Sequence, residues 1–119
     1  MESSKKYTWH KLADTAEELC ADGKPLHEIT INGKRVCIAK VSDELKACAA
    51  KCPHAGGDMS QGYVDALGNI VCPLHRYKFS LQNGRNVSGE GYFLKTYPIE
   101  INEKGIFIGF EEKTGFWSW

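Results

Sequence analysis

Two short segments near the middle of the chain each carry one cysteine and one histidine. The first is Cys52-Pro53-His54, the second is Cys72-Pro73-Leu74-His75, and 17 residues separate His54 from Cys72. Thiolates and imidazoles are the protein ligands that transition metals such as zinc and iron prefer. Whatever the fold, it has to bring these two segments together if the four side chains are to hold a metal.

The mixed composition of each segment distinguishes between the metals that the four side chains suit. Structural zinc sites usually take their ligands as Cys-x₂₋₄-Cys and His-x₃₋₅-His. Here each segment delivers one thiolate and one imidazole, and the first has a single intervening residue. Such segments suit a dinuclear [2Fe–2S] centre, in which one iron takes both thiolates and the other takes both imidazoles. Zinc is the alternative.

The arrangement Cys-x-His followed by Cys-x₂-His resembles the motif of Rieske proteins, and the 17-residue spacing falls within that family's usual range. Pro53, Gly56 and Pro73 match positions common in Rieske-type ferredoxins, and residues 89–99 resemble the family's third, cluster-shielding loop. The resemblance covers roughly residues 7–110. It implies one [2Fe–2S] cluster per chain, and it implies the four ligands Cys52, His54, Cys72 and His75.

Turn signals at short intervals, with runs rich in Val, Ile, Tyr and Phe between them, predict an all-β fold. The clearest hairpin joins Leu26–Ile31 to Arg35–Val41 through Asn32-Gly33. A second predicted pair consists of Leu94–Ile101 and Ile106–Phe110, whose isoleucines alternate with other residues as they do in half-buried strands.

Only Asp14–Ala21 reads as a helix, because acidic residues occupy its first turn and Gly23 follows its end. The length predicts one domain spanning residues 1–119, with a small Gly-rich, cluster-bearing lobe at about 52–93 inserted into the β-scaffold. The resemblance implies the Rieske fold, with stacked antiparallel sheets and a cluster held by two loops.

Charge and hydropathy argue against nucleic-acid and membrane partners. Lys plus Arg equals Asp plus Glu at 15 each, and no stretch approaches the roughly 18 apolar residues of a transmembrane helix. The segment 1–11 lacks the apolar region of a signal peptide. The five cysteines are an odd number, which disfavours a full disulfide framework. We therefore expect a cytoplasmic location.

Residues beside the ligands bear on the reduction potential. By the same resemblance, high-potential Rieske proteins of respiratory chains tie their ligand loops with a disulfide, at positions that here are Gly57 and Leu74. They also carry a serine two residues and a tyrosine four residues after the second histidine. This chain has Tyr77 and Phe79 at those positions, so neither is the residue type found in the high-potential proteins. We therefore predict a low potential, near the lower end of the roughly −150 to +300 mV that such centres cover.

The remaining cysteines and histidines read as structural. Cys37 and Cys48 fall in β-prone runs and are expected to be small buried residues. Cys20, His10 and His27 stand away from the ligand spacing. Four basic residues lie in or near the ligand segments, namely Lys51, Arg76, Lys78 and Arg85. They are either solvated surface groups or a docking site for an acidic patch on a redox partner.

The resemblance implies a one-electron carrier, not an enzyme in its own right. It would take electrons from an NAD(P)H-dependent flavoprotein reductase and pass them to a terminal oxygenase or another redox enzyme. Rieske oxygenases add a mononuclear iron site with a 2-His-1-carboxylate triad, and no histidine follows His75 here. The alternative is a small Rieske-like subunit of a larger reductase, such as a nitrite reductase.

Overall fold

Three antiparallel sheets account for most of the computed structural model, which describes residues 6–20, 23–54, 56–74, 76–89 and 91–112. The all-β prediction is therefore confirmed. In chain order the elements are β1 (Tyr7–Ala13), α1 (Ala16–Leu19), β2 (Leu26–Ile31), β3 (Lys34–Val41), β4 (Glu44–Ala49), β5 (Tyr63–Val64), β6 (Asn69–Val71), β7 (Lys78–Ser80), β8 (Thr96–Tyr97), β9 (Ile99–Asn102) and β10 (Gly105–Glu111).

The central sheet has the order β2-β3-β4-β8, and its first two strands are the predicted Asn-Gly hairpin. Asn32 and Gly33 both have positive φ, 52° and 79°, as a two-residue type I′ turn requires. The second strand begins at Lys34, one residue before the predicted start. This hairpin is confirmed.

Strand β3 is buried on both faces, which places the central sheet between two apolar cores. Val36 and Ile38 face one core with Ile106 and Ile108 of β10. The alternate residues Cys37 and Ala39 face the other core, which also contains the cysteines of the two ligand segments. One face of β3 thus packs in the same core as the cysteines of the two ligand segments.

The sheet β1-β10-β9 lies on the side of the first core. Strand β1 was not predicted; it pairs with β10 from Tyr7 opposite Glu111 to Ala13 opposite Ile106. The second predicted pair is confirmed for Ile99–Ile101, which pair with β10, and is wrong for residues 94–98, of which Thr96 and Tyr97 pair with β4. Pro98 divides Leu94–Ile101 into β8 and β9, because proline has no N–H to give to a ladder, and the two parts join different sheets.

Helix α1 is shorter than predicted, Ala16–Leu19 in place of Asp14–Ala21. The Thr15 hydroxyl caps it by accepting a bond from the backbone N–H of Glu18 at 3.3 Å. The Glu18 carboxylate accepts in return from the backbone N–H of Asp14, one residue before the N-cap, at 2.8 Å. Within the described ranges no helix is long and apolar enough to cross a membrane.

Between β4 and β8 the chain forms the small sheet β5-β6-β7 together with three loops. Asp65 shapes the turn from β5 to β6 by accepting backbone bonds from Leu67 and Asn69, each at 2.9 Å. The small sheet contributes Ile70 and Phe79 to the second core. The single-domain organisation and the bounds 52–93 of the lobe remain predictions.

Candidate metal centre

The two ligand segments fold into loops that are closed by the same pair of backbone hydrogen bonds. In the first loop, residues 52–57, the N–H of Cys52 donates to the carbonyl of Gly57 at 2.8 Å, and Gly56 donates to the Cys52 carbonyl at 2.9 Å. In the second loop, residues 72–77, the equivalent bonds run from Cys72 to Tyr77 and from Arg76 to Cys72 at 2.9 and 3.0 Å. Each cysteine therefore opens a loop of identical hydrogen bonding.

The fifth residue of each loop has left-handed backbone geometry. In the first loop this residue is Gly56, with φ of 73°, and in the second it is Arg76, with φ of 60°. Glycine accepts this conformation readily, whereas for a residue with a Cβ it is unfavourable. Nothing in the sequence of the second loop indicated that an arginine would adopt it.

The two loops meet at their cysteine ends. A Cβ built on Gly57 of the first loop would lie 3.3 Å from the sulfur of Cys72 in the second. Both thiols are buried, with 3% of Cys52 and 1% of Cys72 exposed, and they pack in one apolar cluster with Met59 and Phe79. A glycine at position 57 leaves the space beside the Cys72 sulfur open.

His54 extends from the first loop into an aromatic cluster. Its ring stacks on that of Tyr77, with centroids 4.1 Å apart and planes 21° apart, and Tyr92 approaches it at 5.1 Å. Three loops contribute to this contact, because Tyr77 closes the second loop and Tyr92 belongs to the predicted third loop. The Cys-x-His motif did not reveal either tyrosine. Only the placement of Tyr77 two residues after His75 drew attention to it.

His75, the fourth predicted ligand, lies outside the described residues. Cys52 and Cys72 lie in one apolar cluster, and the ring of His54 stacks on Tyr77, which closes the loop that Cys72 opens. Among the described residues, no three His, Cys, Asp or Glu side chains gather at one point as a single ion would require. A dinuclear cluster needs only two protein ligands on each iron.

The donor set fits an iron–sulfur cluster. Buried thiolates carry a high desolvation penalty unless a cation compensates their charge. Two ferric ions, two sulfides and two thiolates sum to zero, so Cys52 and Cys72 could hold such a centre inside an apolar pocket without leaving a net buried charge. The half-buried imidazole of His54 could supply a neutral ligand on the more exposed side.

Cys37 and Cys48 share the apolar core of Cys52 and Cys72, whereas His10 and His27 contact other parts of the chain. Cys37 pairs directly with Cys48 across β3 and β4, and neither is exposed. A hydrogen bond with Cys37, together with burial, raises the pKa of the Cys48 thiol and keeps it neutral. His27 bonds the Lys24 carbonyl at 2.8 Å, and His10 packs against Phe110 with centroids 5.2 Å apart. Their structural interpretation is confirmed.

Comparison with known proteins agrees with this geometry. The family model of the Rieske [2Fe-2S] domain matches residues 8–98. The chain belongs to the Rieske [2Fe–2S] domain family. One [2Fe–2S] cluster is accordingly the cofactor of this Rieske protein. It is 31% identical over 81 residues to the ferredoxin component of the naphthalene 1,2-dioxygenase system of Pseudomonas putida, covering 67% of this chain and 77% of that protein.

Solved structures confirm the Rieske fold. The Rieske protein matches a chain of the complex of reduced oxygenase and oxidized ferredoxin in carbazole 1,9a-dioxygenase with a TM-score of 0.70, at 22% identity, covering 89% of this chain and 96% of that one. It also matches a putative NADH-dependent nitrite reductase small subunit from Mycobacterium tuberculosis with a TM-score of 0.71, at 19% identity, covering 87% and 96%. At these identities the likeness concerns the fold alone.

Proposed function

We propose that this Rieske protein is a one-electron carrier of the ferredoxin type, which serves a multicomponent oxygenase. It would accept electrons from an NAD(P)H-dependent flavoprotein reductase and deliver them to a terminal oxygenase. The relative from Pseudomonas putida is a ferredoxin component of a dioxygenase system, and it shares 31% identity with this chain. When bound, the cluster supplies reversible one-electron chemistry.

The observation that carries this proposal is the unequal burial of the two kinds of candidate ligand. The thiols of Cys52 and Cys72 are almost completely buried, and the surrounding apolar residues exclude water from them. His54, in contrast, is half-buried and packs against Tyr92, which is 39% exposed. A redox partner can therefore approach the imidazole side closely, whereas the protein insulates the thiolate side.

For the ligands we propose Cys52 and Cys72 on one iron, and His54 and His75 on the other. Metal analysis of the purified protein should give two irons and two acid-labile sulfides per chain. After reduction with dithionite, its EPR spectrum should show the lowered average g-value that histidine ligation produces. Replacing any ligand by alanine should abolish this signal, whereas Cys20→Ser, a change at a half-buried residue of α1's C-terminal end, should leave it intact.

Two outcomes of that experiment would contradict the proposal. If His75→Ala kept two irons and the wild-type spectrum, the assignment of the fourth ligand would be wrong. One zinc per chain with a silent spectrum would support the zinc alternative and exclude electron carriage.

An activity assay is a separate test. If the purified protein alone hydroxylated an aromatic substrate, the view that it needs a separate oxygenase would fail.

A role as the small subunit of a larger reductase predicts a different behaviour. Such a subunit would co-purify with its large subunit, whereas a free carrier would exchange electrons with a separately purified flavoprotein reductase.

For the location, we propose the cytoplasm. Among the described residues, Cys20, Cys37, Cys48 and Cys52 form no disulfide, as is usual for proteins in reducing compartments. Cell fractionation would test this.

A further inference from the structure

The surface around His54 combines exposed apolar side chains with positive charge. Leu74 is 54% exposed and Tyr92 is 39% exposed. The two ligand loops and the residue beside each, 51–57 and 72–78, contain three cations and no carboxylate, in a chain whose overall charge is zero. Positive charge is therefore concentrated in the two segments that carry the candidate ligands.

The three cations differ in their pairing. Lys78 lies 3.8 Å from the carboxylate of Asp65. Across from Lys51 is Asp58, whose carboxylate bonds the guanidinium of Arg35 at 3.0 Å. Within the described ranges, neither Lys51 nor Arg76 forms an ion pair. Both are exposed, so their charges are available to another molecule.

The backbone of Arg76 provides an independent indication. Arg76 adopts φ of 60°, while its counterpart in the first loop is Gly56 with φ of 73°. Glycine would satisfy the same hydrogen bond at lower conformational cost. Residues held in unfavourable backbone conformations by the surrounding structure cluster at functional sites. The exposed Arg76 side chain has no ion-pair partner among the described residues, so that role would lie outside the chain.

We propose that Arg76, supported by Lys51, binds an acidic patch on the redox partner beside His54. Leu74 and Tyr92 provide the apolar part of the same contact. A guanidinium binds carboxylates through two parallel hydrogen bonds, which fixes orientation as well as contact. The partner is thus a redox protein whose electron-exchange surface carries Asp or Glu side chains. This inference rests on the proposed function, because it assumes that electrons enter or leave near His54.

Small inorganic oxidants of opposite charge can test the inference without a purified partner. The reduced holoprotein is mixed at low ionic strength with ferricyanide, an anion, or with hexaammineruthenium(III), a cation. We expect Arg76→Gly to slow oxidation by ferricyanide about tenfold and Arg76→Glu roughly a hundredfold, with hexaammineruthenium(III) changing in the opposite direction. Arg76→Lys should keep the ferricyanide rate. Lys104→Gln, in the turn between β9 and β10, is the matched control and should change neither rate.

Thermal unfolding of the same holoprotein variants separates partner binding from a structural role. If Arg76 serves a partner, Arg76→Gly should keep or raise the melting temperature, because glycine relieves the left-handed conformation. Its EPR spectrum should match that of the wild type. A melting temperature several degrees lower, with unchanged ferricyanide kinetics, would show that Arg76 is structural and would overturn the inference.

The two proposals fail in distinguishable ways. If the reduced wild-type protein gave no electron to either oxidant, the carrier function itself would be wrong. If it reacted with both oxidants and Arg76→Glu altered neither rate, the carrier function would stand and only the acidic-partner inference would be lost.

Discussion

Gly57 and Leu74 touch each other across the two ligand loops: a Cβ placed on Gly57 would lie 2.9 Å from Leu74 Cγ. In a disulfide, the Cβ of one residue lies about 3 Å from the sulfur of the other. These are the two positions where high-potential Rieske proteins are expected to carry their disulfide. The double variant Gly57→Cys/Leu74→Cys should therefore form an intramolecular disulfide with little backbone movement.

Thiol titration of the unfolded double variant should show two fewer free thiols after air oxidation than after reduction. The cross-link closes a loop of 18 residues, from 57 to 74, which corresponds to about 3 kcal/mol of added stability in the chain-entropy model. The single variants Gly57→Cys and Leu74→Cys are the controls. A double variant that remained fully reduced in air would contradict the contact between the loops.

The wild-type midpoint potential should lie below 0 mV, near the lower end of the range of about −150 to +300 mV. Phe79 is completely buried and brings no hydroxyl group to the site. Fewer hydrogen bonds to the sulfurs leave the reduced state less stabilised, so the potential falls. A redox titration followed by EPR measures it directly, and a midpoint well above 0 mV would disprove the low-potential prediction.

The stacking of Tyr77 on His54 should depend on the aromatic ring. Tyr77→Phe keeps the ring, whereas Tyr77→Leu removes it, which should cost about 0.5–1.5 kcal/mol beyond the effect of the phenylalanine variant. Because the imidazole then loses one of its flanking rings, the EPR features of the leucine variant should also broaden. Thermal unfolding and EPR of the two holoproteins provide the test. Identical results for both would mean that the stack contributes nothing.

Gly84 should tolerate substitution far less well than Gly89. Both residues have positive φ, 79° and 91°, but a Cβ on Gly84 would collide with the backbone carbonyl of Leu94, whereas nothing lies within 4 Å of one on Gly89. The alanine variant at 89 should cost about 1–2 kcal/mol for its conformation alone. The alanine variant at 84 should cost at least about 2 kcal/mol more. Denaturant unfolding of the pair measures the difference, and equal losses would refute the predicted close approach.

Asp65 should make stability depend on pH below about 5. The backbone hydrogen bond from Asn69 is the largest cause that holds the pKa of the Asp65 carboxyl below its usual value. A lowered pKa in the folded state means that the charged form contributes stability above the unfolded-state pKa of about 4, and that this contribution is lost as pH falls through the folded-state value. The free-energy difference between wild type and Asp65→Asn should therefore be constant above pH 6 and shrink below pH 4. A pH-independent difference would show that the charge does not matter.

Local signals predicted the parts of the fold that local chemistry determines. Asn32-Gly33 has the backbone freedom of a type I′ turn, and the Thr15 hydroxyl caps the start of α1. Strand β1 was missed because its partner β10 lies about one hundred residues further along the chain, so no nearby residue indicates the pairing. The break at Pro98 was missed because Tyr97, Ile99 and Ile101 continue a period-two alternation past it, while the two halves join different sheets.

At the candidate site, too, features set by nearby residues were predicted, whereas features set by contacts distant in sequence were not. The four candidate ligands could be proposed from the sequence because their residue types and spacing lie close together along the chain. Tyr92 was not, because its contact with His54 exists only after two loops distant in sequence come together. Arg76 gave no sign of its left-handed backbone, since the hydrogen bonds of the loop, and not the residue type, impose that conformation.

The shared hydrogen bonding of the loops 52–57 and 72–77 has a thermodynamic consequence. Each loop is closed by its own main chain, so its conformational entropy is lost when the polypeptide folds, before any iron arrives. The hydrogen bonds of the folded loops then fix the positions of Cys52 and Cys72. Binding a cofactor to ligands ordered in advance forfeits less free energy than binding to a disordered chain. Folding of the polypeptide, and not binding of the metal, therefore bears most of the cost of ordering the two loops.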